Sequence, residues 1–200
     1  MVMRYPFHLL MLTGLLLMLQ GQALAQSKYL TKTGTVSFFS ATPIADIEAR
    51  HQQVAAVLDL GTGQLAFAVP IKAFVFKRTL MQEHFNENYM ESDRFPRATF
   101  SGRFVGLEAA TLAPAGPHNV QVAGDLTLHG VTHRVQVPAT LELRAGQLLA
   151  TAVFPVSPAD YNIEVPLIVR DNIAKVVSVR LALACEPVPG AVGTAVPRTR

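Results

Sequence analysis

Apolar and polar residues alternate with a period of two along most of the chain between about residue 35 and residue 184. After residue 97, for example, Ala98, Phe100 and Phe104 share one face, whereas Thr99 and Ser101 lie on the other. Because successive side chains of a strand point to opposite faces, this pattern predicts strands with one apolar face and one solvent-exposed face. Eight strands are predicted in this way, at Thr35–Ser40, Ile47–Leu60, Leu65–Val69, Ala98–Phe104, Val120–Leu128, Val135–Leu143, Leu148–Val156 and Lys175–Ala184.

A helical pattern interrupts the strands at Leu80–Met90. Met81, Phe85 and Tyr89 recur every four residues and would share one face of a helix, with acidic and amide side chains facing away. Pro96 biases the residue before it towards an extended conformation, so the helix is predicted to end before this position. The pattern predicts an amphipathic helix of about three turns that caps a sheet.

The order of the predicted elements indicates an all-β fold. Antiparallel strands joined by short turns, with one inserted helix, are typical of a barrel or a sandwich, and a closed sheet of about eight strands could hold either its own side chains or one small ligand. Its inward face would carry many phenylalanines: Phe38, Phe67, Phe100, Phe104 and Phe154. These side chains either fill the interior as a core or line a hollow, and the pattern alone does not distinguish the two.

Both ends of the chain differ from this body. Arg4, the apolar run Leu9–Leu19 and the small residues Ala23 and Ala25 predict an export signal over residues 1–25, cut after Ala25. The apolar run is shorter than the ~20 residues of a membrane span. We therefore expect a periplasmic or secreted protein whose folded domain covers residues 26–185. Residues 186–200, rich in Pro, Gly and Ala, are predicted to form a disordered tail.

Composition restricts the function only in part. The formal net charge is +3, and the basic residues are scattered rather than clustered with aromatic ones, so the sequence does not favour nucleic-acid binding. Cys185 is the single cysteine and has no internal disulfide partner. It is interpreted as a small apolar residue at the end of a strand.

Candidate catalytic or metal-binding residues cluster weakly around the helix. His84 with Glu83 and Glu87 could serve acid–base chemistry, but the same spacing is typical of a solvated helix face. His129 and His133 flank a turn, and one or two imidazoles without further ligands hold zinc poorly. We predict no metal and no cofactor. No catalytic sequence motif is found, and we predict a protein that is not an enzyme.

Two motifs resemble those of a known family. The sequence EHFNENYMESDRFP at residues 83–96, followed by ATFSG at 98–102, resembles the central signature of the YceI-like family. GDLTLHGVT at residues 124–132 is similar to that family's second signature. Residues 159–163 depart from the family pattern, because Asn162 stands where many members have a glycine and the preceding arginine is missing. The first strand also lacks the histidine-containing start common in the family.

The resemblance implies a lipocalin-like barrel that binds long isoprenoid lipids, such as polyprenyl chains or quinone tails, in the periplasm. The expected partner is therefore an isoprenoid lipid or a quinone, with transient membrane contact. The oligomeric state stays open, and a dimer is compatible with the sequence. The large inward residues become candidates for lining the ligand: Phe38, Phe67, Val69, Phe74, Phe76, Met81, Phe85, Tyr89, Phe95, Phe100, Phe104, Leu126, Leu128 and Phe154.

Two alternative functions stay open at this point. The first is an envelope stress or interaction module with a closed core and no ligand. The second is a hydrolase or metal-dependent enzyme that uses His84 and Glu87. In addition, Arg94 and Arg97 could contact a ligand phosphate near the mouth of the barrel.

Overall fold

The strands of the protein form one antiparallel sheet that closes on itself. The computed structural model describes residues 28–107, 112 and 116–189. The predicted export signal lies outside these residues, as do residues 108–111 and 113–115. The strands are β1 (Lys28–Ala41), β2 (Asp46–Asp59), β3 (Gln64–Pro70), β4 (Val75–Phe76), β5 (Arg97–Val105), β6 (His118–Leu128), β7 (Val131–Arg144), β8 (Gln147–Val156) and β9 (Val177–Pro187).

Eight of these strands form a closed barrel. β1 pairs with β9 on one side and with β2 on the other, which completes the circuit β1-β9-β8-β7-β6-β5-β3-β2. The two-residue β4 pairs only with the first part of β2. A closed barrel leaves its strands no free edge, so the backbone hydrogen bonds of the wall are satisfied internally. The predicted all-β antiparallel barrel is confirmed.

The pairing also places the two long insertions at the same end of the barrel. β3 pairs directly with β5, so residues 71–96 lie where β3 ends and β5 begins. β8 pairs directly with β9, so residues 157–176 lie where β8 ends and β9 begins. Because neighbouring strands are antiparallel, these two places are at one end, which we call the upper end. The glycine-containing turns at residues 60–63 and 145–146 lie at the lower end.

The predicted strands are all present, and most of them are longer than predicted at one end or both. β1 begins at Lys28, seven residues before the predicted start, and pairs with both of its neighbours. β9 ends at Pro187, and the Val188 N–H donates to the Lys28 carbonyl at 2.9 Å. The prediction of a disordered tail from residue 186 is therefore wrong in its first residues, because the end of β9 pairs with β1. Residues 190–200 lie outside the described residues.

The predicted helix is present, but its last turn is wider than expected. An α-helix, α1, covers Thr79–His84, and a π-helical turn follows at Phe85–Tyr89. The Met90 N–H donates to the Phe85 carbonyl, five residues back, at 2.8 Å. The wider turn ends with Met90 buried against the barrel. Within the described part of the chain, no helix has the length and apolar character needed to cross a bilayer.

The lower half of the barrel is a packed core. Leu58, Leu141 and Leu148 are essentially inaccessible to solvent, and Cys185 pairs with Leu148 in the same layer. Burial, together with the nearby charge of Glu186, raises the pKa of the Cys185 thiol to about 11. The thiol therefore stays protonated at neutral pH and acts as a small apolar side chain, which is consistent with its interpretation from the sequence.

Candidate functional site

A cavity of about 340 Å³ occupies the upper end of the barrel, under α1 and inside the connection between β8 and β9. Only four of its lining residues have polar side chains: Ser40, His84, Tyr89 and Asn172. Burial raises the pKa of the Tyr89 phenol, so Tyr89 faces the cavity as a neutral hydroxyl. The cavity therefore suits an apolar occupant that makes few polar contacts.

Most of the predicted lining residues meet at this cavity. Eleven of the fourteen lie on its wall: Phe38, Phe67, Val69, Phe74, Phe76, Met81, Phe85, Tyr89, Leu126, Leu128 and Phe154. The other three do not. Phe100 and Phe104 lie deeper, on a separate cavity of about 50 Å³. Phe95 lines neither cavity, because its ring packs edge-on against His129 at 4.5 Å between centroids.

A layer of side chains divides the barrel interior into these two cavities. Phe67, Leu126, Phe154 and Leu181 line both of them and so form the floor of the upper cavity. Phe67 also stacks on Phe100, with 5.0 Å between ring centroids and 11° between the ring planes. The interior is therefore hollow above this layer and nearly filled below it.

The helix is held over the cavity by Phe85. Its ring lies 5.5 Å from that of Phe38, 5.6 Å from that of Phe74 and 5.0 Å from that of Phe76, measured between centroids. Aromatic pairs at such distances contribute about 0.5–1.5 kcal/mol each beyond the area that they bury. Phe85 thus joins the π-helical turn to β1 and to the segment around β4.

Replacing Phe85 by alanine should lower the free energy of unfolding by about 2 kcal/mol, because three aromatic contacts are lost. The change should also make residues 79–89 more accessible to proteases. Urea denaturation and limited proteolysis measure the two effects. Leu80→Ala, an exposed position on the same helix, is the matched control and should stay within about 0.5 kcal/mol of the parent. Equal effects of the two substitutions would contradict this role of Phe85.

The connection between β8 and β9 supplies a part of the wall that the sequence analysis missed. Val165, Val169 and Ile173 line the cavity from this segment. It is tied to β1 because the Ala174 N–H donates to the Ser40 hydroxyl at 2.8 Å. The only sign of this part of the wall in the sequence was the spacing of four residues between these three apolar side chains. That sign is weak because the connection contains two prolines.

The two histidines near the β6–β7 turn connect the upper loops. The buried His129 has Nδ1 at 3.1 Å from the Tyr161 carbonyl, so Nδ1–H donates to it. His129 Nε2 lies 3.3 Å from a carboxylate oxygen of Glu91. His133 Nε2 lies 2.7 Å from the Asp160 carbonyl. Both imidazoles thus hold the 158–161 turn against the β6–β7 turn, and His129 also contacts the end of the helical segment.

Asn162 explains one departure from the family pattern. It has a left-handed backbone conformation, with φ of 54° and ψ of 29°, directly after the 3₁₀ turn Pro158–Tyr161. Asparagine tolerates this conformation better than other residues with a Cβ atom, and glycine tolerates it best. The substitution therefore keeps the turn that positions Tyr161.

Within the described residues, no ion pair joins the candidate acid–base residues His84, Glu83 and Glu87. Glu83 and Glu87 are exposed on the outer face of the helix. Arg94 pairs with Glu91 at 3.3 Å and lies over the Phe95 ring at 4.9 Å, so it is not directed into the cavity. Within the described residues, no group of three or more His, Cys, Asp or Glu side chains could hold a metal ion.

Another histidine, His51, is buried behind the cavity wall, against Phe74. Its Nδ1 accepts a hydrogen bond from the Gln53 N–H at 2.8 Å, which places the proton of the neutral ring on Nε2. Nε2 has no well-aligned partner among the described residues. Desolvation lowers the pKa of His51, although the nearby Pro70 carbonyl opposes the shift in part. The folded protein therefore favours the neutral ring.

The stability of the protein should consequently fall as the pH drops below about 6.5, the pKa of an unfolded histidine. Below that pH the unfolded chain takes up a proton that buried His51 resists, so unfolding is favoured by up to ~1.4 kcal/mol per pH unit. Urea denaturation between about pH 7.5 and about pH 5 measures this slope. His51→Gln should show a shallower slope than the parent. If the stability of His51→Gln and of the parent changed equally with pH, the pH dependence would belong to other groups.

Comparisons with known proteins agree with the fold. The model of the YceI-like domain family matches residues 28–185. None of the curated proteins matches the chain in sequence.

Several solved structures are similar to it. A polyisoprenoid-binding domain from Saccharophagus degradans, implicated in plant cell wall breakdown, has a TM-score of 0.69 and 17% identity, covering 82% of this chain and 99% of that chain. BcnA from Burkholderia cenocepacia has a TM-score of 0.64 and 19% identity, covering 76% and 95%. A YceI protein from Campylobacter jejuni has a TM-score of 0.51 and 12% identity, covering 68% and 81%. At these identities the likeness establishes the fold.

Proposed function

Because the chain belongs to the YceI-like family, we propose that it binds the hydrocarbon chain of an isoprenoid lipid, of polyprenyl or quinone type, in the upper cavity. The lipid is held without chemical change, for sequestration or transport. The similar domain from Saccharophagus degradans is described as polyisoprenoid-binding. That description supports the choice of ligand class.

The single observation that carries this proposal is the hollow, apolar upper half of the barrel. The cavity of about 340 Å³ is lined almost entirely by aliphatic and aromatic side chains. Burial of each CH₂ group contributes ~0.8 kcal/mol, so a hydrocarbon chain gains affinity there without many polar contacts. A module with a fully closed core would not need this space, and only the lower half of the interior is filled in that way.

The size of the cavity bears on how much of the lipid is enclosed. Small-molecule pockets range from about 300 to about 1,000 Å³, and this cavity lies at the lower end. The layer containing Phe67 and Phe154 stops a straight chain from passing further down. A long isoprenoid would therefore insert one end and leave the rest to extend past the helix.

The proposed setting is the periplasm or the exterior, in agreement with the export signal expected at residues 1–25. There the protein would shield an isoprenoid from water between membranes or from the surroundings. No observation on the described residues favours the hydrolase alternative at His84 and Glu87 over lipid binding. His84 lines the cavity, but Glu87 is exposed on the outer face of the helix.

Extraction and mass spectrometry test the proposal. The purified protein is extracted with organic solvent, and the extract is searched for isoprenoid masses. In parallel, the delipidated protein is titrated with a fluorescent polyprenyl analogue and a fluorescent quinone analogue. We expect a co-purifying isoprenoid or saturable binding of at least one analogue. An extract free of lipid, combined with no binding of either analogue, would contradict the proposal.

A further inference from the structure

Exposed apolar residues concentrate around the mouth of the upper cavity. Twelve large hydrophobic residues of the described chain are exposed, and six of them lie outside the barrel strands, with 56–91% of their surface accessible. The six within barrel strands reach only 37–50%. The highest exposures thus all belong to the upper end, on a set that we call the apolar rim: Ile44, Val75, Leu80, Leu167, Ile168 and Val176.

The apolar rim is continuous with the cavity wall. On α1, exposed Leu80 is adjacent to Met81, which lines the cavity. At the start of β9, exposed Val176 is adjacent to Val177, which also lines it. The same arrangement recurs at two other rim segments, with Ile168 next to Val169 and Val75 between Phe74 and Phe76. A hydrocarbon chain that crossed the rim would therefore move from one apolar surface to the next.

The charges beside the rim indicate what kind of surface it fits. The segments 75–89 and 164–176 carry four cationic and four anionic residues, so their formal charges cancel, and Asp46 near Ile44 adds one negative charge. None of the eight forms an ion pair within the described chain. They are Lys77, Arg78, Arg170 and Lys175, balanced by Glu83, Glu87, Glu164 and Asp171. A nearly neutral surface with both signs of charge and exposed apolar side chains matches a bilayer interface of zwitterionic headgroups, and it offers little net attraction to a strongly acidic or basic macromolecule.

We propose that the apolar rim docks the barrel, mouth first, on the surface of a phospholipid bilayer, with Leu167, Ile168 and Leu80 inserted among the headgroups. The inference rests on the proposed function, because the bilayer is the source or destination of the hydrocarbon chain. Insertion of apolar side chains provides the attraction. Binding therefore needs no anionic lipid and depends little on salt.

Flotation with phosphatidylcholine vesicles tests this docking. The purified protein is compared with the rim variant Leu167→Asp/Ile168→Asp and with the wall variant Val57→Asp/Val153→Asp. Both variants add two carboxylates at exposed apolar positions, and all three proteins share the same termini, so any contribution of residues 1–27 is common to them. We expect the rim variant to bind vesicles about tenfold more weakly or worse, and the wall variant to bind like the parent. Raising the salt concentration should change the parent's binding less than twofold or so.

A second rim variant guards against the case in which the first rim variant misfolds. Leu80→Asp/Val176→Asp alters the rim on other segments, and an acidic residue in the first turn of α1 is favourable for the helix. Equal flotation of the rim and wall variants, or no flotation of the parent, would overturn the docking proposal. Binding of a soluble fluorescent geranylgeraniol analogue, measured without vesicles, reports separately on the cavity. Its absence in the parent would count against the proposed function, whereas its retention in a rim variant that no longer floats would support docking.

Discussion

Replacing Ala98 by phenylalanine will lower the affinity of the protein for a polyprenyl or quinone-tail probe by about tenfold or more. Ala98 lies on β5, paired with Val69 on β3, and its methyl group lines the upper cavity. A phenyl ring at this position would occupy space that the ligand needs. Displacement of only two CH₂ groups removes ~1.6 kcal/mol of burial, which is about tenfold in affinity. Titration with the fluorescent analogues measures the loss.

The same substitution on the outside of the barrel is the matched control. Ala66 lies on β3 with an exposed side chain, so Ala66→Phe should bind the probes like the parent. Because the new ring of Ala98→Phe enters open space, that variant should lose no more than about 1 kcal/mol of stability. Unchanged affinity in a folded Ala98→Phe protein would mean that the probes bind elsewhere.

Substituting alanine for Gly124 should destabilise the barrel by about 3 kcal/mol, close to the upper end for overpacked sites. Gly124 on β6 pairs directly with Gly102 on β5. A Cβ atom at Gly124 would lie 2.5 Å from the Ser101 carbonyl oxygen, 2.6 Å from the Gly102 Cα and 2.5 Å from the Phe100 Cζ. Two of these three contacts are backbone atoms, which cannot rotate away. Urea denaturation gives the change in the free energy of unfolding.

A double variant separates the backbone contacts from the ring contact. Phe100→Leu removes the aromatic ring but leaves the Ser101 carbonyl and the Gly102 Cα in place. The double variant Gly124→Ala/Phe100→Leu should therefore be no more stable than Gly124→Ala alone. A Gly124→Ala protein within about 0.5 kcal/mol of the parent would show that β5 and β6 can separate at this position without loss.

The strands were predictable because inward and outward positions alternate along each of them, whereas their closure into a barrel rather than a sandwich was expected from the family resemblance. The residues Ala98, Phe100 and Phe104 illustrate this, since all three are buried as their spacing required. The helix was predictable for a similar reason. Met81, Phe85 and Tyr89 share the stripe that faces the cavity. In both cases the local spacing of apolar residues along the chain determines which side chains are buried.

The depth of each inward side chain was not predictable, because alternation says which face a residue occupies and not how high it lies in the barrel. Phe100 and Phe104 therefore fell on the smaller, deeper cavity. Phe95 lines neither cavity because its position depends on the turn after the helix. Glu91 there has a φ of +41°, and Phe95 packs on His129. Such contacts join residues that are far apart in the sequence and leave no local pattern.

The π-helical turn and the β8–β9 connection escaped prediction for the same physical reason. The wider turn at Phe85–Tyr89 accompanies the packing of Phe85 against three rings from β1 and the β4 region. The segment containing Leu167 and Ile168 has only a weak spacing of four between apolar residues, yet it contributes both to the cavity wall and to the apolar rim.

Crystallography of the protein with a bound polyprenyl or quinone analogue tests the central claim most directly. We predict elongated density that enters beneath α1, contacts Phe38 and Leu128, and ends at the layer formed by Phe67 and Phe154. A cavity closed by rearranged side chains, or one that contains only ordered water in the presence of saturating analogue, would contradict the claim that the upper barrel holds a hydrocarbon chain.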